Sequence, residues 1–198
     1  MAKKRIGLLG GSFDPVHVAH LALAQAAQQQ LRLDEVQFIP AAQPWQKSQL
    51  GANSTHRVAM LELATQPYPT FRVNTTEIQR GGPTYTYDTV ATLPASAHYF
   101  WLLGADQLQN FTSWHRWQDI LQHVDLAVAQ RPGSALTPPE QLSHYLAEHN
   151  KNIHYIDFKP SPISATLIRE RLHQDQSVAQ LVPDSVLHYL TQHQLYQP

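Results

Sequence analysis

Short, uninterrupted apolar runs alternate along the chain with longer stretches rich in helix formers. Residues 6–9 make the first apolar run and stop at Gly10-Gly11, the punctuation of a buried strand. From about 18 to 31 the composition turns to Ala, Leu and Gln, so a strand, a loop and a helix form the first unit. Residues 36–39 read as a second strand stopped by Pro40, and Ser54 or Thr55 could cap a helix running through 56–64. Further strand candidates are 71–74, 99–103, 125–129 and 153–156, with helical stretches between most of them.

This alternation predicts the α/β class: a doubly wound, mostly parallel, Rossmann-like sheet with helices on both faces and right-handed crossovers. Such sheets bind ligands at the carboxyl ends of their strands, where the strand order reverses, which directs attention to the loops after the first and fourth strands. The segment 131–139, RPGSALTPP, is too short for a domain boundary, and there is no internal repeat. At 198 residues and 22.4 kDa, residues 1–198 are expected to form one domain around one core.

Charge and composition narrow the function classes. Fourteen basic and 15 acidic residues leave a formal charge of -1, with no field to hold nucleic acid or an anionic membrane, so neither is expected as a partner. The basic run Lys3-Lys4-Arg5 reads as a solvated surface. With no cysteine, disulfides, cysteine-ligated zinc, iron–sulfur clusters and thiol catalysis are excluded. The apolar stretch near residue 8 is too short for a signal-peptide core, and nothing approaches a membrane span, so a soluble, cytoplasmic protein is expected.

The loop after the first strand concentrates the chemistry. Gly10 and Gly11 let a ligand approach the backbone, while Asp14-Pro15 suits a helix start, with Asp as the cap and Pro in the first turn. A helix N-terminus with open N–H groups attracts anions, phosphate above all. His17 and His20 lie three apart and share a face toward that site. Neither GxxxxGK[ST] nor GxGxxG is present, and a zinc reading of HxxH lacks a third ligand. Phosphate binding is the favoured reading; metal binding and plain packing are its alternatives.

A second candidate lies at 162–172. Ser164 is a natural N-cap for a helix whose Leu167, Ile168 and Leu172 can face the core, while Thr166 and Arg169 share a side. Read alone, this is equally a capped helix with surface charge. Paired with the first loop, it supplies a second anion site, and two such sites imply a triphosphate.

GGSFDPVHVAH resembles the GxFDxxHxxH signature of the nucleotidyltransferase superfamily, and ISATLIRERL resembles its second signature, ISSTxIR, with Ala165 in place of a serine. The likeness extends over nearly the whole chain to the bacterial nicotinate-nucleotide adenylyltransferase family. It is carried by IPAAQPWQK (39–47), PTYTYDT (83–89), LLGADQL (102–108), WHRW (114–117), AVAQRPG (127–133) and LVPDSVLHYLTQHQLY (181–196). The resemblance implies transfer of AMP from ATP to nicotinate mononucleotide, giving deamido-NAD and pyrophosphate, with Mg²⁺ bound through the ATP phosphates.

It also implies roles by position. His17 and His20 would contact the ATP phosphates, and the backbone of Gly10, Gly11, Ser12 and Phe13 would lie against the nucleotide. Ser164, Thr166 and Arg169 would hold the β- and γ-phosphates, and Gly104 with Asp106 would sit near the ribose. Lys47 matches the lysine of a loop that closes over the phosphates; that loop commonly reads Pro-Pro-His-Lys, where this chain has Pro44-Trp45-Gln46-Lys47. In the acceptor site Trp114 would stack on the pyridine ring, and the backbone amides of Thr86 and His115 would reach the carboxylate. Sister enzymes taking nicotinamide mononucleotide or phosphopantetheine, and a non-catalytic nucleotide sensor, are the rival readings.

Overall fold

The computed structural model describes residues 3–44, 50–133, 135–159 and 161–197. In chain order the strands are β1 (Lys4–Gly11), β2 (Glu35–Pro40), β3 (Gln43–Pro44), β4 (Phe71–Val73), β5 (Pro83–Thr84), β6 (Ala97–Leu103), β7 (Asp125–Gln130) and β8 (Ile153–Asp157). The helices are α1 (Val18–Leu31), α2 (Ser54–Thr65), α3 (Thr76–Arg80), α4 (Thr86–Val90), α5 (Ala105–Gln109), α6 (Trp117–His123), α7 (Glu140–Glu148), α8 (Ala165–His173) and α9 (Asp184–Gln192).

Six strands form one sheet in the order β4-β2-β1-β6-β7-β8, every pairing parallel. All six strand candidates are present, and α1 spans the residues its composition marks. The order reverses between β1 and β6, whose register pairs Leu8 with Trp101. Their carboxyl ends, Gly10-Gly11 and Leu103-Gly104, therefore open side by side into the switch-point crevice. The two-residue strands β3 and β5 pair separately, a ladder too short to leave any periodicity in the sequence.

Alternation along the strands divides the core in two. Leu9, Val36, Phe38, Phe100 and Leu102 turn to one face and pack with α1, α2, α8 and α9. Ile6, Leu8, Tyr99, Trp101, Leu103, Leu126 and Val128 turn to the other, against residues of α4 to α7. Successive strand residues point to opposite faces, so a strand buried on both sides must be apolar throughout, as the 99–103 run is.

Two helix starts differ from expectation. Asn53, not Ser54 or Thr55, caps α2, its side chain accepting the His56 N–H at 3.0 Å. Asp14 does not cap α1; His17 is the N-cap, and the Asp14-Pro15 peptide is cis in the turn before it. The α8 prediction holds at its cap, where Ser164 Oγ accepts the Leu167 N–H at 3.1 Å. Along α8, Ile168 is buried and Leu172 packs on the core, while Leu167 stays half-buried outside it. No described helix is long and apolar enough to cross a membrane.

Candidate active site

A cleft of about 930 Å³ opens over the carboxyl ends of β1 and β6, near the upper end of what ligand pockets occupy. The first loop forms its floor. At Gly10 a β-carbon would come within 2.8 Å of the Trp101 indole, so glycine is required where β1 crosses that ring. Phe13 takes a left-handed φ of 47° and is buried against His20 and Phe38, which anchors the loop to the core.

The two histidines are fixed relative to each other. The His17 backbone N–H donates to His20 Nδ1 at 3.2 Å, and the rings stack with centroids 3.6 Å apart. Because Nδ1 of His20 accepts that bond, the proton of the neutral ring resides on Nε2, which makes Nε2 a donor. Burial lowers His17 to a pKa of about 4, so it is neutral at pH 7. Its Nδ1 is buried without a hydrogen-bond partner among the described residues.

The α1 terminus is less open than expected. Val18 N–H donates to the Leu181 carbonyl at 3.0 Å and His20 N–H to the His17 carbonyl at 3.0 Å. The imidazoles, more than the α1 amides, are therefore what this loop offers an anion. At α8 the reverse holds. Ser164 takes the Leu167 N–H, while the Ala165 and Thr166 amides donate to no protein acceptor among the described residues, and all three residues line the same cleft. Open amides of this kind are what a helix terminus can present to an anion.

Asp14 has a different task from capping. Its buried carboxylate accepts the Gly51 N–H (2.8 Å), the Ala52 N–H (2.9 Å) and the Tyr196 hydroxyl (2.7 Å). Burial, with Asp14 beside it, pushes the Tyr196 hydroxyl far up, so it stays a proton donor. Arg169 donates to the Asp14 carbonyl at 2.7 Å and to Thr166 Oγ1 at 3.4 Å, which ties α8 to the first loop. Beneath them the buried Arg57 donates to the Ser12 carbonyl at 2.7 Å.

Of the residues marked in the sequence, Gly10, Gly11, Ser12, Phe13, His17, His20, Gly104, Asp106, Ser164, Thr166, Thr86 and Trp114 all line this cleft. Arg169 and His115 sit beside it without lining it, and Lys47 lies outside the described residues. The Thr86 and His115 amides have no protein acceptor among the described residues. The Trp114 ring packs between Phe111 (5.2 Å) and Trp101 (6.5 Å), and its buried Nε1 lacks a partner among those residues. Glu77 and Arg131 also line the cleft and were missed by sequence reasoning. Arg131 stands within AVAQRPG, directly after β7, the strand beyond the two loops that the doubly wound rule singled out.

A glycine floor, paired imidazoles and an open helix terminus at the switch point of a parallel sheet define an α/β nucleotide-binding protein. The family model for cytidylyltransferase-like proteins matches residues 8–171. The "probable nicotinate-nucleotide adenylyltransferase" of Bordetella petrii is 57% identical over 98% of this chain and 99% of its own. The one so named in Oceanobacillus iheyensis is 34% identical over 98% and 97%. A solved structure of the Plasmodium falciparum nicotinic acid mononucleotide adenylyltransferase, complexed with NaAD, superposes with a TM-score of 0.78 at 18% identity, covering 98% of this chain and 97% of that one; this likeness carries the fold. The chain belongs to the cytidylyltransferase-like family, among its nicotinate-nucleotide adenylyltransferases.

Proposed function

We propose that this chain, acting as one nucleotidyltransferase domain over 1–198, transfers AMP from ATP to nicotinate mononucleotide and releases pyrophosphate and deamido-NAD. The relatives' names support the reaction. The observation that carries the assignment of roles is the convergence of His17 and His20 with the open α8 terminus on one cleft.

The acceptor is a phosphate, already anionic at neutral pH, so its oxygen can attack the α-phosphorus of ATP without a general base or a protein nucleophile. What remains is in-line alignment and stabilisation of the charge that builds on the departing pyrophosphate. His20, its proton set on Nε2, donates to the bridging oxygen that departs with pyrophosphate, and His17 beside it serves the same phosphates. The Ala165 and Thr166 amides, Ser164, Thr166 Oγ1 and the Arg169 cation hold the β- and γ-phosphates. Lys47 is assigned to the same end by its position in the family motif. Gly104 and Asp106 serve the ribose. Trp114 stacks on the pyridine ring, and the Thr86 and His115 amides take the carboxylate.

Among the described residues no three His, Asp or Glu side chains converge as a metal cage. This donor set fits an ion carried on the substrate, so Mg²⁺ is assigned to ATP phosphate oxygens and water. When bound it neutralises phosphate charge. The cytoplasm, where ATP is abundant, is the compartment assigned to this reaction.

His20→Ala tests it. Losing one donor to the transition-state oxyanion lowers turnover by roughly a hundredfold or more, read as pyrophosphate release at saturating substrates. Turnover near wild type would remove His20 from the chemistry.

A further inference from the structure

Thr86 and His115, the two amides assigned to the acceptor carboxylate, belong to different segments: the first turn of α4 and the turn before α6. On each side of that pair a side chain bridges the segments. The Tyr85 and His115 rings lie 4.9 Å apart at 47°. The Arg116 guanidinium carbon sits 3.7 Å from the centre of the Tyr87 ring. Arg116 is further oriented by Asp119, whose carboxylate accepts from Nε at 2.6 Å, and its backbone is left-handed at φ 55°. Arg116 is exposed, so its contact with Tyr87 adds little to the core.

We propose that these two contacts form a clasp that fixes the separation of the Thr86 and His115 amides, and thereby sets the preference for the nicotinate acid over its amide; Arg116 and Tyr87 are positioning residues. The inference rests on the acceptor reading given above. A carboxylate accepts from both N–H groups at once, whereas a carboxamide presents one acceptor and one NH₂ that opposes the second donor. Rejection of the amide therefore depends on neither donor being able to move away. Two segments that share no backbone hydrogen bond among the described residues need side chains to hold that spacing, and a cation over a ring is suited to it.

Steady-state kinetics with nicotinate and nicotinamide mononucleotide, at saturating ATP and Mg²⁺, test the clasp. Arg116→Asn removes the cation while tolerating the left-handed backbone, and Tyr87→Leu removes the ring. Each is expected to raise KM for nicotinate mononucleotide on the order of fivefold and to lower the acid-to-amide ratio of kcat/KM similarly. KM for ATP and kcat should stay at wild-type values. Arg116→Lys and Tyr87→Phe restore most of the ratio, and Arg116→Asn with Tyr87→Leu together does no more than either alone. A wild-type ratio in both single variants overturns the clasp, as does a parallel rise of both KM values. A wild-type enzyme without acid preference overturns the acceptor reading itself, which separates the two failures.

Discussion

His17 and Glu77 both line the cleft, and burial moves their protons in opposite senses. Burial lowers His17 from 6.5 to about 4, so between those values the unfolded chain holds the extra proton. The stability tied to this group is complete above pH 6.5 and falls as pH drops toward 4. Burial raises Glu77 from 4.5 to about 7, against the hydrogen bond from Thr89 (2.6 Å) and the nearby Arg80. Here the folded chain holds the extra proton, and stability present below pH 4.5 is lost as pH rises through 7. Between pH 4.5 and 6.5 the slopes oppose, each at most about 1.4 kcal/mol per pH unit. In Glu77→Gln the His17 slope should stand alone, so the free energy of urea unfolding rises with pH across that window more steeply than in wild type. A profile no steeper than wild type contradicts this opposition. His17 and His20 stand out in the sequence because their three-residue spacing beside Gly10-Gly11 favours phosphate binding over its alternatives, metal binding and packing. Glu77 and Arg57 are not, because nothing local distinguishes a buried charge from a solvated one; only the tertiary packing around α3 and α2 does.

At the scale of elements, strands were easier to read than caps. Double-sided burial makes 6–9 and 99–103 continuously apolar, a signal that survives without knowledge of neighbours. A cap depends on which hydroxyl, amide or carboxylate falls within reach of one N–H, and Asn53 prevailed over Ser54 by one position. Asp14 misled for a stronger reason. Its partners are Gly51, Ala52 and Tyr196, far along the chain, and no window of sequence displays them. The consequence is a mechanical link from the end of α9 to the loop that carries His17. Tyr196→Phe removes one donor to a buried carboxylate that keeps two others. It should cost about 2 kcal/mol, seen as a lower urea midpoint with an unchanged slope. An unchanged midpoint would mean that Asp14 does not depend on Tyr196.

For the whole molecule, the strand order is what converts two distant motifs into one site. Alternation of elements predicts a doubly wound sheet, but the neighbours of β1 are a property of the assembled chain. Placing β1 beside β6 sets the histidine loop against the LLGADQL segment, and α8 closes the far side of the same cleft. The triphosphate reading, drawn from two separate helix starts, thus acquires a single volume in which both can act. The proposed acceptor end draws on the α4 and α6 segments, which flank β6 in the chain. The most direct test of AMP transfer is phosphorus-31 NMR of a reaction holding the protein, ATP, Mg²⁺ and nicotinate mononucleotide. Equimolar pyrophosphate and a dinucleotide diphosphate signal are predicted, with a much slower reaction when nicotinamide mononucleotide replaces the acid. ADP with a newly phosphorylated acceptor, orthophosphate, or unchanged ATP would contradict it.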